Sequence, residues 1–183
     1  TDAAANLPSD YAFSGADAGV HSFSGVALKT AGTRSLTATD TVTAAVTGTT
    51  SGIAVSPAAA ASLSVTAPGS AGAGTPFTVT VTALDAFANT ATGYAGTIHF
   101  TSTDPGATLP ANYTFTAGDS GAHAFANGVT LTTGSRTVTA TDTGNAAITG
   151  TTGPIVVAAS GSTTALAGPL MALAKLNQLH LLA

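Results

Sequence analysis

The sequence contains no cysteine, no tryptophan and no glutamate, and only two lysines and two arginines stand among its 183 residues. The absence of cysteine removes disulfides, thiolate nucleophiles and zinc sites of the cysteine type. Charged residues make up 7% of the chain, against about 25% in an ordinary domain. The net charge of −4 is spread thinly and no basic patch gathers, so no nucleic-acid partner is expected. No apolar run approaches the roughly 18 residues that would span a bilayer, so no membrane insertion is expected either. No signal peptide opens the chain, and its first ten residues, TDAAANLPSD, read as a loop cut from something larger.

What is present is alanine, glycine and threonine. Apolar residues reach 44%, enough for a packed core, but aromatics are only 5%, so that core rests on a few Val, Ile, Leu, Phe and Tyr positions. With so little charge the solvated face must be threonine, serine and backbone. Threonine is β-branched and suits the outer face of a pleated sheet, so the composition points to an all-β protein.

The chain also says the same thing twice. Thr1–Phe23 laid over Thr103–Phe125 is identical at 11 of 23 positions, and Gly32–Thr50 over Gly134–Thr152 at 13 of 19. The period is near 102 residues, with a one-residue difference around Ser24–Val26 and Ala126–Val129 that is repaired before Gly32. A structural unit written twice is the reading this supports. The second copy has SLSVTA, TPFTVTVTALDAFANTATGYAG and TIHFTST ahead of Thr103, whereas nothing corresponding precedes Thr1. The expected organisation is therefore the C-terminal half of a unit over 1–57, a complete unit over 58–159, and a linker with a short helical tail over 160–183.

Period-two alternation predicts strands in the complete unit. Phe77, Val79, Val81 and Ala83 share one face of FTVTVTA, with Thr78, Thr80 and Thr82 on the other. Ile98 and Phe100 pair in TIHF with His99 turned outward, Val129 pairs with Leu131 and Val138 with Ala140, and PIVVAA closes the unit. Turn signals separate these runs. Six or seven short strands in about 100 residues imply an antiparallel two-sheet sandwich. A turn centred on Asp119 would set Phe115 opposite His123 and Tyr113 opposite Phe125. The same spacing sets Phe13 opposite His21 and Tyr11 opposite Phe23, a predicted aromatic hairpin present in both copies.

The stretch FTVTVTALDAFANTATGYAGTIHFTSTDPGATLPANYTFTAGDSGAHAF, followed by VTLTTGSRTVTATDT, resembles the bacterial immunoglobulin-like repeats, of invasin-type and Big-like kind, found in large surface and secreted proteins. LDAFANTATGYAGTIHF is similar to the D-x-x-G-N…G…V-x-F segment of such modules, with Ala88 where the pattern favours glycine. The resemblance covers Ala61–Ala158 fully and Thr1–Pro57 as a half. It implies immunoglobulin-like β-sandwich repeats, an extracellular or cell-surface location, and neighbouring repeats or other copies of the chain as partners. Such modules serve as spacers, stalks or filament subunits. An adhesin holding a glycan, ice or a host protein is the alternative.

No enzyme is expected. The eight aspartates sit mostly in turn contexts such as TDPG and AGDSG, and no nucleophile-elbow or oxyanion-loop motif accompanies the many hydroxyls. No cofactor is expected beyond a weak calcium candidate: Asp85 and Asn89 could approach Asp104 or Asp142 at one end of the sandwich, although no D-x-D-x-D loop exists. His21 and His123 read as partners of a neighbouring Phe at a sheet edge rather than as ligands or pH switches. Lys29 suggests an internal isopeptide link, which is rejected for the complete unit because Thr132 stands there in the second copy and no glutamate is available. The assembly and packing residues are Tyr11, Phe13, His21, Phe23, Tyr113, Phe115, His123 and Phe125. The tail after Pro169 adds a leucine stripe at Leu170, Leu173 and Leu176, either a linker end or a docking segment. The inner face of the half unit (Tyr11 or Phe13, Phe23, Val26, Leu28, Leu36 and Val46) would stay wet on its own, and its open edges would seek strands. Either the sequence is a fragment of a longer array, or the missing strands come from another chain by intermolecular strand complementation.

Overall fold

The computed structural model of the chain describes residues 2–160. The tail with Leu170, Leu173 and Leu176 lies outside the described residues. Those residues form an all-β architecture of several sheets, paired antiparallel except for one parallel contact.

In the second copy the alternating runs become strands where the pattern places them. Strands β3 (Ser62–Thr66), β5 (Phe77–Leu84) and β8 (Ala122–Val129) make one antiparallel sheet in the order β3-β5-β8. Strands β6 (Thr97–Ser102), β7 (Tyr113–Thr114), β10 (Val138–Asp142) and β11 (Thr149–Thr151) make a second, in the order β11-β10-β6-β7. A third sheet joins β4 (Ser70–Gly72), β12 (Ile155–Ala158) and β9 (Gly134–Arg136), with β4 parallel to β12. On β5 the odd positions Phe77, Val79, Val81 and Ala83 are buried, and on β6 Ile98 and Phe100 are, so each strand spends its apolar side on one shared core. Each fully buried Val, Ile or Phe in that core contributes about 1.5–3 kcal/mol. Asp85, Asp104, Asp142 and Thr152 are buried too, and no buried side-chain polar atom among the described residues lacks a partner.

The first copy repeats the later strands. Strands β1 (Gly32–Thr39) and β2 (Thr47–Val55) pair antiparallel, with Thr37 on Thr49 and Thr39 on Thr47. Shifted by 102, these are the β10–β11 pairs Thr139 on Thr151 and Thr141 on Thr149. Gly32 on Val55 likewise repeats Gly134 on Val157 in the third sheet. The local pairing is thus identical, but the setting differs. Phe115 is 2% exposed and its counterpart Phe13 is 60%, while Phe125 and Phe23 stand at 9% and 46%. Leu7, Val26 and Val46 are exposed as well.

The expected aromatic hairpin is not formed. Tyr113 lies on β7, where it pairs with Ile98 of β6, and Phe125 lies on β8, where it pairs with Val79 of β5. The segment between them, with a single 3-10 turn at Ala117–Asp119, carries the chain from one sheet to another. The four rings still meet, as contacts between sheets: Tyr113 and Phe125 are 5.4 Å apart and perpendicular. The histidine stacks on tyrosine rather than on phenylalanine, His123 on Tyr113 at 3.9 Å and His21 on Tyr11 at 3.6 Å. Spacing symmetric about Asp119 fits both geometries, and the partners that decide between them lie far away in sequence.

Candidate functional site: the junction between the copies

The carboxylates considered for calcium sit in separate turns, each taken up by donors of its own turn together with a donor from a distant part of the sequence. Asp104 accepts from the amides of Gly106 and Thr132 and from Thr132 Oγ1, with Arg136 Nε 3.9 Å away. Asp142 accepts from the Tyr94 hydroxyl and from the amides of Gly144 and Asn145. Asp85 accepts from the amides of Ala58, Phe87 and Asn89 and from Asn89 Nδ2, all within 2.8–2.9 Å. Among the described residues no group of three His, Cys, Asp or Glu side chains is placed to hold a metal ion. Burial pushes the Asp85 carboxyl up, but the donors, led by the Asn89 side chain, outweigh it and hold its pKa at about 2.

Asp119 organises the repeated aromatic stretch. Its Oδ2 accepts from the amide and hydroxyl of Thr116, and its Oδ1 lies 2.7 Å from His123 Nδ1 and 3.0 Å from the Tyr113 hydroxyl. Asp17 does the same for Ser14, Tyr11 and, at 3.4 Å, His21. The Thr116 amide, then His123, hold the Asp119 carboxyl well below the usual range, and the Ser14 amide leads in bringing Asp17 to about 2. Both hydroxyls in each network donate to the carboxylate and not to the imidazole, so the base–nucleophile contact of a catalytic triad is missing there. What remains is a lock on the sheet-to-sheet turn. His99, exposed on β6, lies 2.8 Å from Asn112 Oδ1.

The outward threonines form cross-strand pairs. Thr139 with Thr151 and Thr141 with Thr149 are each 2.8 Å apart, Thr37 with Thr49 is 2.9 Å and Thr39 with Thr47 is 3.0 Å. A depression lined by Pro57–Ala60, Ala91, Tyr94 and Ile148 carries no carboxylate–histidine pair.

The arrangement that joins distant parts of the sequence lies elsewhere, at residues the sequence marked only for calcium and for an isopeptide. Asn89 reaches out of the second copy into the first: its Nδ2 donates to the Lys29 carbonyl at 2.8 Å and its Oδ1 accepts from the Ala31 amide at 2.8 Å. Asp85 orients Asn89 and also binds the Ala58 amide, so one turn grips both the first copy and the connection between the copies. The Lys29 ammonium lies 5.7 Å from the centre of the Phe87 ring, a cation–π distance. From the other side, Arg34 donates to the carbonyls of Thr30 and Ala31, and Asp2 accepts from the amides of Lys29 and Thr30. Ala88 completes the turn at φ 63°, the left-handed conformation that glycine takes without strain and alanine adopts at a cost of about 1–2 kcal/mol.

The structure also corrects the place of Lys29. The bridge between Asn6 and Ala27 corresponds to that between Thr108 and Thr130, while Thr30 on Asp2 corresponds to Thr132 on Asp104. Leu28 and Lys29 therefore stand where the second copy has Leu131 alone. Thr132 is the counterpart of Thr30, and Lys29 is an additional residue. The balancing extra residue of the second copy falls between Phe125 and Thr130, the stretch with Asn127 at φ 51° where the pairing of β8 with β5 is irregular between Phe77 and Val79. The one residue added to the first copy is the one whose carbonyl receives Asn89.

No helix of the described residues is long and apolar enough to cross a membrane. The chain matches no family model, no curated protein and no solved structure.

Proposed function

We propose that the protein is a structural module of a bacterial surface protein, an immunoglobulin-like β-sandwich bead whose work is to hold its neighbours at a set distance and direction. The single observation that carries this reading is the junction. A spacer needs adjoining beads to keep a fixed relation, and here Asn89, oriented by Asp85, bonds to both the carbonyl of Lys29 and the amide of Ala31. Two bonds from one planar amide fix direction as well as distance, which a single bond or a linker of alanines would not. The surroundings agree with a structural role: the buried aspartates are consumed by turns, and the outward threonines satisfy one another across strands. That pairing takes up hydroxyl capacity that the adhesin alternative would need for a glycan or an ice surface.

The test is the relative orientation of the copies in solution, read from residual dipolar couplings of β1–β2 and of β3–β12. The native chain should fit one alignment frame, and Asn89→Ala should require two frames while leaving the couplings within the second copy unchanged. Two independent frames in the native chain would overturn the spacer reading.

A further inference from the structure

The first copy carries fittings for a partner that the second copy already has in place. The aromatic face is one. Phe115 is covered by Tyr94 at 5.0 Å and Phe125 by Phe100 at 4.8 Å, whereas Phe13 and Phe23 lie open. Gly150 is another: a Cβ there would fall 1.9 Å from the backbone oxygen of Leu63, so β3 passes against it with no room for a side chain. Its counterpart Gly48 has nothing within 4 Å, and its φ lies outside the range that demands glycine. Glycine within a strand weakens the strand, so Gly48, the second residue of β2, has a cost and no local reason. The third fitting is Asp40. Like Asp142 it uses Oδ1 for the two turn amides, here of Val42 and Thr43, but Asp142 also takes the Tyr94 hydroxyl on Oδ2. Leu63, Tyr94 and Phe100 all belong to residues 61–102, the part of the second copy without a counterpart over the first.

We propose that the open face of the first copy is the seat of a polypeptide segment with the strand pattern of residues 61–102. It would lay apolar side chains over Phe13 and Phe23 as β5 and β6 cover Phe115 and Phe125, bring a tyrosine to Asp40, and pass a bare backbone against Gly48. A segment joined ahead of Asp2 would enter it as β6 runs through Ser102 to Asp104, the residue that Asp2 matches. A second copy of this chain is the poorer donor, because it would have to open its own finished core to release β3, β5 and β6. The proposal rests on reading the copies as beads of one architecture, but it concerns the face and not the junction.

The test grafts a duplicate of residues 58–102 ahead of Thr1 and follows amide exchange. Exchange in β1 and β2 should slow at least 100-fold, and Gly48→Leu should abolish that slowing in the grafted chain while changing nothing in the native one. Because the chain has no cysteine, Phe13→Cys gives a second readout: thiol labelling should be fast in the native chain and at least 100-fold slower after grafting. A graft that leaves both rates unchanged overturns the proposal. So does concentration-dependent association of the native chain that protects Phe13→Cys without any graft, since the occupant would then be a second copy. Either result leaves the junction intact, whereas failure of the spacer reading would show as two alignment frames with the graft still protective.

Discussion

At the residue scale the molecule offers an internal control, because the same side chain stands in two environments. Phe115→Ala empties a buried site and should cost the second copy about 3–5 kcal/mol. Phe13→Ala, at its exposed counterpart, removes only edge contacts with Tyr11 and His21 and should cost no more than about 1 kcal/mol. Urea titrations of the two variants check this, and comparable losses would mean that the first copy has a core of its own. The aspartates set the response to acid. Asp85 and Asp17 titrate near 2 in the folded protein, and Asp2 and Asp119 are lowered as well. A carboxyl held below its ordinary value stabilises the fold fully above that value, near 4, and the contribution is lost as pH falls through the folded pKa. The thermal midpoint should therefore be level from roughly pH 7 to 5 and fall between about 4 and 2. Asp119→Asn should lower the midpoint near neutrality and shrink the acid fall, and a decline centred above pH 5 would contradict the assignment.

At the element scale the strands were legible where alternation was strong. Phe77–Ala83 and Ile98–Phe100 read correctly because a strand buried on one face writes its own period. The turn around Asp119 did not read correctly, since a hairpin and a crossing between sheets need the same local residues and differ only in partners on β5 and β6. The junction was invisible for a related reason. Asp85 and Asn89 have the spacing of a turn and the chemistry of a ligand, and nothing local says that the asparagine's amide is spent on Lys29 and Ala31. The signal that did exist was the compensated one-residue shift: an added residue at Lys29 that no strand of the first copy requires. Deleting Lys29 should bring Leu28 directly to Thr30, as Leu131 meets Thr132, and keep the β1–β2 register. It should replace the Lys29 carbonyl that receives Asn89 with that of Leu28, turned as the Leu131 carbonyl is turned to the Gly74 amide and so away from Asn89. The expected result is loss of the common alignment frame with the second copy's stability unchanged within about 0.5 kcal/mol. A variant that keeps one frame would show that the extra residue is incidental.

At the scale of the whole molecule, one core holds the second copy together while the first copy borrows its order. The first copy has a two-stranded hairpin, the Asp17 network and the grip of Asn89, and an isolated hairpin is marginal in water. Hydrogen exchange across the chain tests this most directly, because it reads the stability of every element at once. The amides of β5, β6, β8 and β10 should exchange only with opening of the whole second copy. Those of β1 and β2 should exchange at least about 100-fold faster, with the Ala31 amide, bonded to Asn89, as an island of slower exchange beside them. Equal protection in β1 and β5, or an Ala31 amide as fast as an open loop, would contradict the picture of an open copy held by the junction to a finished one.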